Sequence, residues 1–249
     1  MRMGIDSARN KIVRAGEHFQ SLQSELQRYF QSHPGKIVRE TGSDPNQYIA
    51  NVETIKPIPT RVQFIIGDCL QNLRSSLDYL VRELVLAANK QPSDHEMFPI
   101  CDKPKAFKDA IRRGQLTGVP EEAITEIERL QPYHLGQDWE KANLWVLNEF
   151  SNINKHRRVV LTMLRGTTAA IKTHVIDGEL WMRGHLPTLD DNAKIILPMR
   201  GNQVEVNAQI VSFVTFQEGA AKGIEVTSCL NIILQEVYAV VSGFEKFFP

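Results

Sequence analysis

The amino-acid sequence predicts an α+β fold in which helices fill the first part of the chain and strands the second. Apolar residues recur at helical spacing through most of residues 1–156. Between 157 and 218 they lie in short, β-branched or alternating segments punctuated by Gly, Pro and Asp, a pattern typical of an antiparallel sheet. An apolar helix is predicted at 224–247 and is expected to return to the first helices. This order favours one α+β domain over 1–249, with the sheet inserted before the C-terminal helix.

Three elements are predicted at the start of the chain. An amphipathic helix ends before the Pro34–Gly35 pair, because both residue types break helices. The alternation in "QYIANVETIKPI" predicts a short strand pair near 37–56. Pro59 then begins the strongest helical pattern, as helix entry favours. The apolar side of this helix is a single stripe of six residues: Ile66, Leu70, Leu73, Leu77, Leu80 and Leu84.

Two short helices are predicted in "KPKAFKDAIRR" and "PEEAITEIERLQPY", and a longer one in "DWEKANLWVLNEFSNINKH". The longer helix is apolar around most of its circumference, which is typical of a central helix. Its polar strip is formed by Asn148, Ser151, Asn152 and Lys155. We expect this strip to face something specific.

Composition and charge exclude some classes of protein. Hydrophobic residues make up 42% and charged residues 23% of the chain, as in ordinary globular proteins. The formal net charge is zero, so a strongly basic nucleic-acid binder is not indicated and anion binding requires a local patch. Cys69, Cys101 and Cys229 form no CxxC pair, which favours a reducing, cytoplasmic setting. We find no secretory signal and expect no membrane-spanning segment.

Catalytic fingerprints are mostly missing from the sequence. There is no Walker A loop, GxSxG, HExxH or GxGxxG motif. No histidine is spaced as a metal ligand, although His174 and His185 fall in neighbouring predicted strands and meet if the hairpin places them opposite each other. Exposed strand histidines are the commoner case. We therefore predict no metal and no cofactor.

The strongest helical pattern carries the first candidate site. Arg74 and Asp78 are four residues apart and can pair on one face. Arg74 lies roughly 80° from the centre of the leucine stripe, so we expect it to be half-buried. A half-buried arginine requires a carboxylate, a carbonyl group or an anionic ligand. A structural Arg74–Asp78 brace is the simpler interpretation.

The second candidate site is "NINKHRR", where the central helix gives way to a strand. Cations at a helix C-terminus complement its macrodipole and need no ligand. Amide, imidazole and guanidinium groups together also suit oriented binding of phosphate or carboxylate, and imidazole moves protons near neutral pH. The candidate residues are Asn152, Lys155, His156, Arg157 and Arg158.

A family of uncharacterised, mainly bacterial proteins carries a similar pattern of motifs in the same order, and this chain resembles it over residues 58–160 in "GDCLQNLRSSLDYLVREL", "FPI", "LQPY" and "LWVLNEFSNINKHRRV". "RSSLDY" is more loosely similar to the motif of HEPN proteins, helical bundles that usually act as homodimers. Many HEPN proteins are metal-independent ribonucleases whose motif places a histidine after the arginine. Tyr79 occupies that position here, and tyrosine is a poor general base at neutral pH.

Two functions remain open from the sequence. The HEPN resemblance implies a metal-independent endoribonuclease or RNA-binding protein, with a HEPN-like helical core and a homodimeric state. Arg74 would then bind the scissile phosphate and His156 would exchange the proton. The flanking RNA would be bound by the remaining candidates, Asp78, Tyr79, Asn152, Lys155, Arg157 and Arg158. The alternative is a non-enzymatic binding or structural module, which Arg74 bound by Asp78 and a distant, solvent-facing His156 would favour.

Overall fold

The computed structural model describes the backbone at 5–32, 35–41, 47–54, 56–175, 178–185, 194–198 and 204–248, and the side chains at 5–32, 56–162 and 213–248. The described part of the chain contains six α-helices and six β-strands, so the protein is α+β. The helices are α1 (Asp6–Gln31), α2 (Thr60–Ala87), α3 (Pro104–Arg112), α4 (Glu121–Arg129), α5 (Asn143–His156) and α6 (Val226–Gly243). The strands are β1 (Gly35–Thr41), β2 (Gln47–Thr54), β3 (Leu161–Val175), β4 (Gly178–His185), β5 (Lys194–Pro198) and β6 (Val204–Phe216).

The strands form two three-stranded sheets, in the orders β1-β2-β5 and β4-β3-β6. β2 is antiparallel to both its neighbours, and Tyr48 lies opposite Leu197 in the β2–β5 pair. The predicted single sheet over 157–218 is therefore wrong in one respect, because β5 leaves its sequence neighbours and joins the early strand pair. Strand pairing depends on partners distant in sequence, which alternation within one strand does not specify.

Contacts divide the chain into two compact units. The first comprises Met1–Ser24, Thr60–Val160 and Phe216–Pro249, and the second comprises Glu25–Pro59 and Leu161–Thr215. The first unit contains α2 to α6, and the second contains nearly all of the strand residues. This division is one of contact density, so the predicted single domain over 1–249 stays a prediction.

Helix α2 lies at the centre of the first unit. The six residues of its predicted stripe are all fully buried, which confirms that part of the sequence interpretation. The hydroxyl group of Ser76 donates a hydrogen bond to the carbonyl oxygen of Ala8 at 2.9 Å, so the first turns of α1 lie along α2. Both α5 and α6 also pack against α2. This packing buries the apolar side of α2.

The C-terminal helix bears on the expectation of no membrane-spanning segment, which stays a prediction. Val226–Phe247 is long and apolar enough to cross a membrane by length and composition, with a mean hydropathy of 1.3 in its most apolar window. The core helix of a soluble protein passes the same test, and α6 buries Leu230, Ile233 and Val237 within the first unit.

Candidate functional site

Arg74 is buried in α2, where only 5% of the residue is exposed. Its Nη2 donates a hydrogen bond to the carbonyl oxygen of Phe98 at 2.7 Å and lies 2.9 Å from Asp78 Oδ1. Its Nη1 is shielded from solvent and has no hydrogen-bond partner among the described residues. The expectation of a half-buried side chain was wrong, because the loop that carries Phe98 covers this side of α2.

Asp78 completes a three-way brace with Arg74 and Phe98. The backbone N–H of Phe98 donates a hydrogen bond to Asp78 Oδ1 at 2.9 Å, so the carboxylate binds both partners through one oxygen. Burial raises the pKa of Asp78, while Arg74, the Phe98 N–H and Lys155 act to lower it. The brace fixes the loop on α2. Because Lys155 of α5 acts to lower the Asp78 pKa, it lies within electrostatic range of the Asp78 carboxylate.

The end of α5 approaches the first half of α2 closely. A side-chain carbon added at Gly67 would collide with the amide group of Asn154, so the two helices are in contact there. Helix α5 ends at His156, which was the predicted junction between helix and strand. His156 is exposed, and no hydrogen bond joins it to Arg74 within the part of the chain that the structure describes. Of the two predicted catalytic residues, Arg74 is thus buried and His156 is exposed to solvent.

The other candidates of the "NINKHRR" segment have different environments. Arg157 donates hydrogen bonds to both carboxylate oxygens of Glu218, at 2.7 and 2.5 Å. Hydrogen bonding in this bidentate pair raises the pKa of Arg157 and lowers that of Glu218. Arg157, which was expected to bind substrate, is thus bound to Glu218 instead. Lys155 and Asn152 are exposed and lie 3.4 Å apart, between Nζ and Oδ1. Arg158 remains exposed.

Two aromatic rings lie on the solvent side of α2, opposite the leucine stripe. Phe64 is 57% exposed and has the guanidinium carbon of Arg158 5.9 Å from its ring centre. Tyr79 is 40% exposed and has Lys11 Nζ 5.5 Å from its ring centre. Fifteen residues of helix separate the rings by about 22 Å and about 60° of rotation, so both lie on the same face.

Sequence reasoning missed Phe64 and Lys11 as candidate site residues. The available signal was the position of Phe64, about 160° from the centre of the leucine stripe and therefore on the opposite side of the helix. An exposed phenylalanine opposite a complete apolar stripe contributes nothing to the core. Single apolar residues at the surface are common, so Phe64 is a candidate only together with the guanidinium group of Arg158 near its ring.

A pocket with a volume of about 390 Å³ lies beside Tyr79. In the wall of this pocket, Glu96 Oε1 accepts a hydrogen bond from the Ser93 N–H at 2.6 Å. Its Oε2 is shielded from solvent and has no partner among the described residues. The lining residues are Asp78, Tyr79, Arg82, Ser93 and Glu96. Asp78 and Tyr79 were predicted site residues, whereas Arg82, Ser93 and Glu96 were not.

Two observations about the described residues concern metal binding. Among those residues, no group of three or more His, Cys, Asp or Glu side chains is placed to hold a metal ion. In the β3–β4 pair, His174 lies opposite Glu179 and His185 lies opposite Thr168, so the two histidines do not face each other. Their side chains lie outside the described residues.

Comparisons with known proteins give no match for this chain. No family model matches the chain, and neither do curated proteins or solved structures. The α2 face and the end of α5 therefore carry the functional interpretation.

Proposed function

We propose that this protein binds single-stranded RNA along the exposed face of α2 and the C-terminal end of α5. The observation that carries the proposal is the pair of solvent-exposed rings, Phe64 and Tyr79, each accompanied by a cation from another element. Single-stranded nucleic acids bind to surfaces of this type, because bases stack on aromatic rings while cations contact the phosphates.

The charges around these rings support the proposal. Lys11 and Arg158 lie over the two rings, and Lys155 and His156 are exposed at the end of α5. Arg157 is paired with Glu218, so we assign it no part in the proposed RNA binding. A net charge of zero over the whole chain is compatible with binding through such a local patch. We therefore expect moderate affinity that falls as the salt concentration rises.

The RNA-binding proposal is tested by fluorescence anisotropy with a labelled 12-nucleotide single-stranded RNA. We expect Phe64→Ala to weaken binding about tenfold, because one base–aromatic stack contributes about 1–3 kcal/mol. Arg158→Ala should also reduce the slope of log affinity against log salt by about 0.7, since one phosphate contact is lost. Tyr238→Ala and Lys108→Ala are matched controls, because both residues are exposed on other helices.

The same experiment distinguishes RNA binding from the alternative of a module that binds another partner. Undetectable RNA binding by the folded protein, or binding that Tyr238→Ala weakens as much as Phe64→Ala, contradicts the proposal. A non-enzymatic module with a different partner would then be the better interpretation.

A second candidate function is metal-independent RNA cleavage by a HEPN-like homodimer. The observation that favours it is Nη1 of Arg74, a buried cationic group with a free hydrogen-bonding position, in a helix that Lys155 approaches. Against it, Nη2 is already bound to Asp78 and Phe98, so phosphate contact requires the brace to open. Cleavage of RNA in the presence of EDTA that is lost in His156→Ala tests this candidate.

A further inference from the structure

The pocket beside Tyr79 offers more than a stacking surface. Its volume of about 390 Å³ is within the range of small-molecule sites, at the lower end. Arg82, one of its lining residues, follows Phe64 by eighteen residues and therefore points in about the same direction from α2. The pocket thus lies on the face that we propose to bind RNA.

Two carboxylates of the pocket each have one oxygen that already accepts hydrogen bonds from the protein. Asp78 binds Arg74 and the Phe98 N–H through Oδ1, and Glu96 binds the Ser93 N–H through Oε1. In the part of the chain that the structure describes, Glu96 Oε2 is shielded from solvent yet has no donor. An ionised carboxylate only accepts hydrogen bonds. A ligand that complements this pocket therefore presents N–H donors to the carboxylates, and it reaches Oε2 when the Glu96 side chain rotates to turn this oxygen into the pocket.

The four RNA bases differ in the donors that their Watson–Crick edges present. Guanine has two adjacent donors, N1–H and the N2 amino group. Adenine and cytosine have one amino group beside an acceptor nitrogen, and uracil has one N–H between two carbonyl groups. Guanine also presents O6 and N7, the pair of acceptors that arginine contacts most often. It is the base whose donors and acceptors match both the carboxylates and Arg82.

We infer that this pocket receives an unstacked guanine base of single-stranded RNA. Glu96 and Asp78 accept hydrogen bonds from N1–H and the amino group, and the guanine ring stacks on Tyr79. Arg82 donates to the O6/N7 edge or to the adjacent phosphate. Recognition of a splayed base by stacking and edge hydrogen bonds is the usual route to sequence preference in single-stranded RNA. The inference rests on the proposed RNA binding and adds a base preference to it.

The test compares four labelled dodecamers, each of eleven uridines with one central G, A, C or U, by fluorescence anisotropy. We expect the G-containing RNA to bind about tenfold more tightly than the others, the discrimination typical of a bidentate base contact. Glu96→Gln should abolish this preference, because the amide keeps an acceptor for the Ser93 N–H but places a donor against the guanine donors. Glu83→Gln, a half-buried position on α2 outside the pocket lining, should retain it.

The outcomes separate the two levels of the interpretation. A guanine preference that Glu96→Gln abolishes and Glu83→Gln retains supports the base pocket. Equal binding of all four RNAs, still weakened by Phe64→Ala, overturns the base pocket and leaves RNA binding intact. Absence of binding to any dodecamer, with an unchanged circular dichroism spectrum, overturns both.

Discussion

Arg74 and Asp78 lie one helical turn apart in α2, with 2.9 Å between Nη2 and Oδ1, and both side chains also bind the backbone of Phe98. This arrangement joins a helix to a loop twenty residues later in the chain. It explains why a charged pair is present beside a complete apolar stripe. The pair positions the loop that carries Glu96 and therefore one wall of the pocket.

We expect Asp78→Ala to lower the free energy of unfolding by about 2–4 kcal/mol, because Arg74 would remain buried without its carboxylate. This range lies slightly below that for a fully enclosed pair, since the Asp78 side chain is 32% exposed. Urea denaturation measures the change. Asp109→Ala, which breaks the surface pair with Arg112, should cost less than about 1 kcal/mol. An effect of Asp78→Ala no larger than this control would refute the structural brace.

The close approach of α2 and α5 predicts opposite effects for two glycine substitutions. Gly16→Ala in α1 meets no atom within 4 Å, so its higher helix propensity should stabilise the protein by about 0.5–1 kcal/mol. Gly67→Ala should lose this gain and destabilise the protein, because its methyl group displaces Asn154. Thermal unfolding of both variants tests the prediction. Stabilisation by Gly67→Ala equal to that by Gly16→Ala would show that the two helices do not meet at this point.

The Arg157–Glu218 pair predicts a specific pH dependence. Hydrogen bonding to Arg157 lowers the pKa of Glu218 below its ordinary value of 4.5. The stability it contributes is therefore complete above about pH 4.5 and is lost as the pH falls through the folded-state pKa. We expect Glu218→Gln to lower the melting temperature at pH 7, and the difference from wild type to shrink below about pH 4.5. A difference that is constant with pH would exclude an ionic contribution.

The HEPN-like proposal predicts a gain of function at Tyr79. Tyr79→His places an imidazole in the pocket, and imidazole has a pKa near 6.5, which suits proton transfer at neutral pH. If Arg74 and this position form a latent nuclease site, cleavage of single-stranded RNA in EDTA should rise by about a hundredfold. Tyr238→His, an exposed tyrosine on α6, is the matched control. Cleavage by Tyr79→His at the level of the control would count against a nuclease site in α2.

The sequence by itself determined the apolar face of α2 and the end of α5. The start of the longer helix predicted from Asp138 was wrong, because Pro132–Lys141 is a 3₁₀ helix and α5 begins at Asn143. Periodicity located the stripe from Ile66 to Leu84, and the switch from helical to alternating spacing placed the end of α5 at His156. These features depend on residues within a few turns of one another, so local spacing is sufficient to predict them. The Arg74–Asp78 pair could also be predicted from the sequence, because a spacing of four residues in a helix brings the two side chains together.

The tertiary structure decided which groups each candidate residue contacts. Phe98 covers Arg74 from a loop, Glu218 binds Arg157 across sixty-one residues, and β5 pairs with β2 across more than a hundred. The two exposed rings likewise acquire their cations from α1 and from the segment after α5. Such contacts depend on how separate elements pack, and packing brings together residues whose spacing in the sequence carries no signal.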